Sequence, residues 1–360
     1  MPRSAEVALG SLILIAVLHD LFQSVVLPRP SIGRWRLSQV TLRPLWAGWR
    51  WLGARLRRID RRENWLATFG PLAVIALLGM WVVGLTVAYG LLIDGVRDQI
   101  QPAPASLGTS LYLSAATLFP LSYGDFLPMG AGAKVVAVAE TATGVALIAL
   151  VISLLFSLYR SFQDREELVV TLDALAGAPP SGVQILEVAA QYHMPDTVSS
   201  TFDDWRRWSA AVLESHLAYP ILVYFRSSHD NEAWVNSFGA VMDAATLVIS
   251  SIDAESLEGS AHLLIKVGNH LVEDLGWYFR LERSPSAVVE RQEFDEARGR
   301  LQAAGYRCRG SDAAWADFVS LRSRYALPLN QLARRMAIRP AQWIGDRSYL
   351  PHAKGSRVRH

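Results

Sequence analysis

Three long apolar segments, at residues 7–27, 66–92 and 134–159, constrain the fold of this chain more than any other feature. Each is at least as long as the roughly 20 residues that an α-helix needs to cross about 30 Å of hydrocarbon. Apolar residues are concentrated before position 163, and the rest of the chain has the mixed composition of a soluble domain. The sequence therefore predicts an all-α membrane protein with three transmembrane helices, followed by a soluble helical domain.

The loop between the first two spans is strongly basic, because residues 28–63 hold ten arginines against Asp60 and Glu63. Loops of this kind stay on the cytoplasmic side of a membrane. We therefore expect an external N-terminus, a second span that runs outward and a third that returns to the cytoplasm. The chain after residue 163 is then cytoplasmic, and its single cysteine, Cys308, fits a reducing compartment.

The basic loop also has the pattern of an amphipathic helix. Apolar residues recur along it at helical spacing: Leu42, Leu45, Trp46, Trp49, Leu52, Leu56 and Ile59. Basic residues cover much of the remaining surface, among them Arg50, Arg55, Arg57, Arg58, Arg61 and Arg62. Tryptophan and arginine together favour an interfacial helix that lies along the inner leaflet and binds anionic lipids. The alternative is a solvated basic helix that packs on the cytoplasmic domain.

A shorter apolar stretch, residues 110–125, lies between the second and third spans and ends in Tyr123, Gly124 and Asp125. The predicted topology makes it enter the membrane from outside. Non-helical backbone at membrane depth is tolerated only where it is buried in protein or lines a cavity. We expect a short helix over residues 108–118. It should end by Leu118, because Pro120 disfavours the α conformation at Phe119.

Residues from about 64 to 162 resemble the pore domain of the potassium-channel superfamily, in which a pore helix runs into a TVGYGD filter. Tyr123, Gly124 and Asp125 agree with that motif, and Leu121 is a mild change from valine. The resemblance implies a homotetramer around one pore in a bacterial inner (plasma) membrane, with K⁺ as the permeant ion, Na⁺ as the alternative ion, and no cofactor. Its filter would comprise Phe119, Pro120, Leu121, Ser122, Tyr123, Gly124 and Asp125.

The filter departs from the family at two positions, since Pro120 replaces threonine and Ser122 replaces the first glycine. Left-handed backbone costs an L-residue roughly 1–2 kcal/mol, and Pro120 supplies neither a hydroxyl ligand nor an N–H group. We therefore expect a cation channel with weakened or altered selectivity. The alternative is a non-conducting membrane sensor or scaffold that keeps the channel fold and signals through its cytoplasmic helices.

Three residues are expected to support the filter, and a fourth is expected to act as a gating hinge. Tyr112 is placed to donate to Asp125, and Thr117 lies next to the filter on the pore helix. Glu140, inside the third span, either attracts cations or braces the pore helix through a hydrogen bond. Gly144 falls where related channels have a hinge glycine.

Two polar residues of the first span, His19 and Asp20, raise a similar question. About 10 Å of helix separates Asp20 from residue 27, so it can reach the basic loop. We expect an ion pair between Asp20 and an arginine, with a proton relay as the alternative.

These patterns divide the chain into five parts: an N-terminal transmembrane helix (1–31), a basic interfacial helix (32–63), a pore domain (64–163, with the pore loop at 108–127), a helical cytoplasmic domain of about six helices (164–340) and a basic tail (341–360). No catalytic constellation, metal motif or phosphate-binding glycine loop is evident, so we expect no enzyme and no nucleic-acid partner. The ligand or protein that contacts the cytoplasmic domain is unknown from sequence.

Overall fold

The computed structural model of the chain describes residues 3–27, 37–121, 123–227, 233–282 and 288–338. These residues are mostly helical, and their one sheet has two short strands. The chain forms two compact units. The membrane unit comprises residues 1–160 and 217–225, and the C-terminal unit comprises residues 161–216 and 226–360. The predicted all-α fold class is confirmed.

The membrane unit contains three helical stretches that are long and apolar enough to cross a bilayer. Its elements are α1 (Arg3–Leu21), a π-helical turn (Phe22–Val26), α2 (Leu37–Gly53), α3 (Ile59–Ala67), α4 (Phe69–Gly95), β1 (Ile100–Gln101), α5 (Leu107–Leu118), β2 (Leu127–Pro128) and the first part of α6 (Ala131–Ala176). Helices α1 and α5 both pack against α4. Helices α1, α4 and α6 cover the three predicted spans.

The two strands close the base of the segment that contains α5. They pair antiparallel, with Ile100 opposite Pro128 and Gln101 opposite Leu127. Gln99, just before β1, extends this contact, because its carbonyl accepts hydrogen bonds from the N–H groups of Met129 at 2.8 Å and Gly130 at 3.1 Å. Both ends of the pore segment are therefore held together before α6 begins.

Helix α6 continues well past residue 159, where its apolar span was predicted to end. It has 46 residues, a length of about 69 Å at 1.5 Å per residue. Residues 160–176 contain neither glycine nor proline, and the helix stops only before Gly177, whose φ is +72°. The end of an apolar sequence marks where a helix leaves the hydrocarbon, but it does not by itself end the helix.

Asp20 of α1 is buried in the membrane unit. Its Oδ2 accepts a hydrogen bond from Trp81 Nε1 of α4 at 2.9 Å, and its Oδ1 has no partner among the described residues. The predicted ion pair with an arginine is wrong for this part of the chain. A buried indole N–H needs an acceptor, and Asp20 provides it. His19 bonds Gln23 on its own helix at 3.0 Å.

From residue 37 on, the basic loop forms two helices, α2 and α3, which are joined by a tryptophan pair. Trp49 and Trp65 stack with ring centroids 4.2 Å apart and an interplanar angle of 9°. Each indole N–H donates to the main-chain carbonyl of the other residue, at 3.0 and 3.1 Å. Trp49 is therefore held in protein contacts.

The segment 217–225 lies between two helices of the C-terminal unit in sequence, yet it packs within the membrane unit. Its Tyr224 ring lies 5.3 Å from Phe69 and 5.7 Å from Trp46, measured between centroids. Trp46 is only 5% exposed. Trp46 is therefore buried in protein, whereas Trp51 remains 57% exposed, and the predicted contact of this helix with lipid stays a prediction.

The C-terminal unit has the end of α6 and seven further helices among its described residues, where about six helices were predicted. They are α7 (Gly182–Gln191), α8 (Pro195–Ala218, whose last two residues belong to the membrane unit), α9 (Trp234–Ser251), α10 (Glu255–Phe279), α11 (Arg291–Ala303), α12 (Ser311–Arg322) and α13 (Ala326–Arg335). Helix α9 is almost fully buried, and α7, α10, α12 and α13 pack around it.

A buried polar network crosses this core. Asp243 of α9 accepts hydrogen bonds from Arg322 Nε at 2.8 Å and from the Tyr325 hydroxyl at 2.7 Å. Burial, together with the Asp243 charge, raises the pKa of Tyr325 well above its usual value. The phenol therefore stays protonated, and it satisfies a carboxylate that burial would otherwise penalise.

Candidate pore site

Helix α5, the predicted pore helix, begins and ends through identifiable local chemistry. Ser106 caps its N-terminus by accepting a hydrogen bond from Thr109 N at 3.3 Å. At the other end Phe119 leaves the helical conformation (φ −97°, ψ 24°), and Leu121 N donates to Ala116 O at 2.8 Å. The helix ends at Leu118, which confirms the effect predicted for Pro120.

Two serines one turn apart fix this helix to its neighbours. The Ser110 hydroxyl donates to Asp94 Oδ1 at the end of α4 over 2.8 Å. Ser114 Oγ lies 2.5 Å from Glu140 Oε1 of α6 and 3.0 Å from Thr86 O of α4. Both serines are buried. Buried carboxyl groups therefore hold the helix at two points, from α4 through Ser110 and from α6 through Ser114.

Glu140 is fully buried and touches the pore helix. Of the two sequence interpretations, this position favours the brace over a carboxylate that attracts ions from an open cavity. Its second oxygen, Oε2, has no partner among the described residues.

Glycines on both neighbouring helices allow the pore helix to approach closely. A Cβ atom at Gly90 of α4 would lie 2.6 Å from Leu111 Cδ2, and one at Gly144 of α6 would lie 1.9 Å from the main-chain oxygen of Leu118. Gly144 was predicted as a gating hinge. The structure gives it a packing role against the end of the pore helix, within a continuous α6.

The loop after the pore helix is exposed in the single chain. Tyr123 is 68% exposed, and Phe119, Pro120, Leu121, Gly124 and Asp125 are also exposed. Gly124 has φ +76°, the left-handed conformation that glycine adopts without strain. Ser122 lies outside the described residues, so its predicted resistance to this conformation stays a prediction.

The remaining support residues lie behind or beside this loop. The Tyr112 hydroxyl lies near the Asp125 carboxylate, and its predicted donation to Asp125 stays a prediction. Thr117 lines a cavity of about 60 Å³ together with Leu113, Phe126 and Ala133. The structure thus brings Tyr112 to one end of the loop and places Thr117 against an apolar pocket between α5 and α6.

The basic residues predicted to face lipid lie apart from the pore helix, on α2, α3 and the turn between them. Arg50, Arg55, Arg57, Arg58 and Arg61 are exposed, and Arg62 is partly buried. The Arg55 guanidinium lies 3.6 Å from the centroid of the Trp51 ring, a cation–π contact on the exposed side of α2.

Sequence reasoning missed Asp94, Ser110 and Ser114. Serine is common in apolar helices, so neither serine was distinctive alone. Their spacing of four residues, which puts both on one helix face, is the signal that could have paired them with the carboxylates of the flanking spans.

Comparison with known proteins agrees with this geometry. Residues 74–161 match the model of a family described as ion channel. Over 225 residues the chain is 23% identical to YdjJ, an uncharacterized membrane protein of Bacillus subtilis (strain 168). The alignment covers 60% of this chain and 64% of that relative, which is less than two thirds of its length. No solved structure matches the chain. The region that matches this family holds most of α4, all of α5 and the first part of α6.

Proposed function

We propose that the protein is a homotetrameric cation channel, with potassium as its principal ion and selectivity altered by Pro120 and Ser122. The observation that carries the proposal is a braced pore helix followed by an exposed Tyr123-Gly124-Asp125 loop. Helix α5 has 12 residues, about 18 Å of helix, and is too short to cross the hydrocarbon. Its polar loop needs a water-filled path or protein around it. A pore shared by four copies provides both.

The surface of α6 supports assembly around such a pore. Val138, Val145, Ile152 and Tyr159 are all exposed and recur every seven residues, whereas Glu140, Leu147 and Leu154 recur with the same spacing on the buried side. A seven-residue repeat keeps one apolar stripe facing a parallel neighbour over several turns. The exposed stripe is the surface that we assign to the other copies and to the pore.

The proposed topology has an external N-terminus, a cytoplasmic basic loop and a cytoplasmic C-terminal unit in the inner membrane. The ten arginines of residues 28–63 support this orientation. In it, the exposed arginines and Trp51 of α2 and α3 meet anionic headgroups, while Trp46 and Trp49 pack on protein. An ion-channel domain also fits a protein that is not an enzyme.

The test is ion flux from the purified full chain in liposomes, together with its oligomeric state in membranes. Chemical cross-linking should yield species up to four copies, and a cation-dependent current should appear in planar bilayers. A strictly monomeric or dimeric protein would exclude the shared pore. A tetramer without any cation current would favour the sensor or scaffold instead.

A further inference from the structure

The C-terminal unit contains a cavity of about 420 Å³ between the last turns of α6, helix α7 and the first half of α8. Its apolar walls come from Leu168, Leu172, Leu175, Val188, Met194 and Trp205. This volume lies in the range of about 300–1,000 Å³ that is typical of small-molecule sites. Trp205 is itself nearly fully buried, and its ring centroid lies 4.6 Å from that of Trp208 at an interplanar angle of 46°. One wall is therefore a rigid aromatic surface.

The polar rim of the cavity offers hydrogen-bond acceptors. The Thr171 hydroxyl donates to Leu168 O at 3.0 Å, Ser200 donates to Thr197 O at 3.0 Å, and Thr201 donates to the same carbonyl at 2.7 Å. Each hydroxyl proton is thus donated within its own helix, so the lone pairs of the three hydroxyl oxygens remain free to accept hydrogen bonds from a ligand. The Tyr192 phenol, which is exposed at the rim, can donate or accept.

Asp204 adds a negative charge to this rim. It forms an ion pair with Arg207 one turn along α8, and the Arg207 side chain is 66% exposed. An ion pair in such surroundings contributes little free energy, so the carboxylate can change partner at small cost. Asp203 makes the same kind of pair with Arg206 at 3.3 Å but does not line the cavity.

We propose that this cavity binds a small cationic amphiphile, a molecule with an apolar or aromatic body and a primary ammonium or guanidinium group. The body would fill the space between the leucines and Trp205, and the cation would bond to Asp204 and the hydroxyl oxygens. An anion of the same shape would meet a carboxylate and acceptor lone pairs, and would be rejected. The walls do not discriminate further among cations of this class.

The location suggests a regulatory role, which rests on the proposed channel function. Leu168, Leu172 and Leu175 belong to α6, the helix that also carries Glu140 and Gly144. A ligand that packs on the end of α6 restrains the same helix that braces the pore. Binding itself does not depend on conduction, so the two can be tested separately.

Binding is measured with the full chain in lipid nanodiscs by ¹⁹F NMR titration of 4-fluorophenethylammonium. The matched probes are 3-(4-fluorophenyl)propionate, which is anionic, and 2-(4-fluorophenyl)ethanol, which is neutral. We expect saturable binding of the ammonium probe and at least about tenfold weaker binding of the anion. Empty nanodiscs correct for partition into lipid.

Two variants locate the site. Asp204→Asn should weaken the ammonium probe by about tenfold while leaving the neutral probe unchanged, and Asp203→Asn is the matched control that should have no effect. Ser200→Trp, at an exposed helix position, should fill the cavity and abolish binding of both probes. Thr171→Phe fills it from the opposite wall if Ser200→Trp fails to fold, which circular dichroism checks.

Three results would overturn the proposal. They are no saturable binding of the ammonium probe, equal binding of the anion, or equal effects of the Asp203 and Asp204 variants.

If binding fails and Ser200→Cys cross-links between copies, a second copy fills the cavity instead. If the probe binds but the protein carries no cation current, the proposed binding site is supported and the channel proposal is contradicted. If the protein carries a cation current, the ammonium probe should alter the current of the native protein and leave the current of the Ser200→Trp variant unchanged.

Discussion

Glu140 of the third membrane helix and Ser114 of the pore helix meet at 2.5 Å, with the Thr86 carbonyl 3.0 Å from the same hydroxyl. A serine hydroxyl has one proton, yet here it lies between a carboxyl oxygen and a carbonyl oxygen. Both contacts are satisfied together when Glu140 is protonated and donates to Ser114, which in turn donates to Thr86. We infer that Glu140 acts as a neutral hydrogen-bond donor in the assembled protein.

This inference predicts different outcomes for two substitutions of Glu140. Gln keeps a donor of similar size, so Glu140→Gln should retain tetramers and flux. Glu140→Ala removes the group that donates to Ser114 and should lower the free energy of unfolding by about 1–3 kcal/mol. The measurement is thermal unfolding in detergent, with Ser114→Ala and the double variant completing a thermodynamic cycle. Equal loss in the Gln and Ala variants would indicate that a charged Glu140 is required.

Gly144 should tolerate no side chain, because a Cβ atom there would meet the Leu118 oxygen at 1.9 Å. Gly144→Ala must push α6 away from the pore helix, and we expect a loss of about 1–3 kcal/mol together with loss of flux. Gly79 of α4 is the matched control, since a Cβ atom there has open space within 4 Å. Gly79→Ala should keep both stability and flux. A fully active Gly144→Ala protein would contradict the packing role.

Trp46 and Trp51 lie on one helix, but their replacement by alanine should affect different properties of the protein. Trp46 is buried against Phe69 and Tyr224, so Trp46→Ala should cost about 3–5 kcal/mol of unfolding free energy. Trp51 is exposed beside Arg55, so its loss should leave stability unchanged and weaken binding to anionic vesicles. Vesicle flotation and thermal unfolding distinguish the two effects. Unchanged flotation of Trp51→Ala with Arg55→Gln would argue against a lipid contact.

His216 should make the C-terminal unit sensitive to acid. Burial, and then the charge of Arg165, lower its pKa from 6.5 to about 3. Nδ1 lies 2.9 Å from Val212 O, and Nε2 lies 3.4 Å from Arg165 Nη1, so the neutral ring can donate to the first and accept from the second. The unfolded chain therefore binds the proton more readily between pH 6.5 and 3.

The stability that His216 contributes is present above pH 6.5 and is lost as the pH falls toward 3. The shift corresponds to roughly 5 kcal/mol over this window. His216→Gln, which keeps a donor and an acceptor, should flatten the pH dependence of chemical unfolding monitored by tryptophan fluorescence. The exposed His262→Gln variant is the control and should retain the native profile. An unchanged slope in His216→Gln would assign the acid sensitivity to other groups.

Local rules predicted those parts of the structure that depend on neighbouring residues. Span length located α1, α4 and α6, and Pro120 located the end of α5. The Ser110–Asp94 bond joins different elements, and nothing local marks it. Burial of Trp46 was missed because lipid and protein both favour an aromatic side chain at that position. Its partner Tyr224 lies far along the chain, beyond the reach of periodicity.

The filter itself provides the last prediction, and it depends on Pro120 and Ser122. Gly124 takes φ +76°, whereas a serine in the left-handed region costs roughly 1–2 kcal/mol per copy. In the proposed tetramer, Pro120 would leave the inner end of the filter without a ring of hydroxyl groups. We expect the native pore to discriminate K⁺ from Na⁺ poorly, and the double variant Pro120→Thr with Ser122→Gly to raise K⁺ selectivity. The measurement is the reversal potential under bi-ionic K⁺ and Na⁺ in planar bilayers, with Leu121→Val as a control that keeps both departures. Strong K⁺ selectivity of the native protein would mean that its loop reaches the required carbonyl geometry by another backbone path.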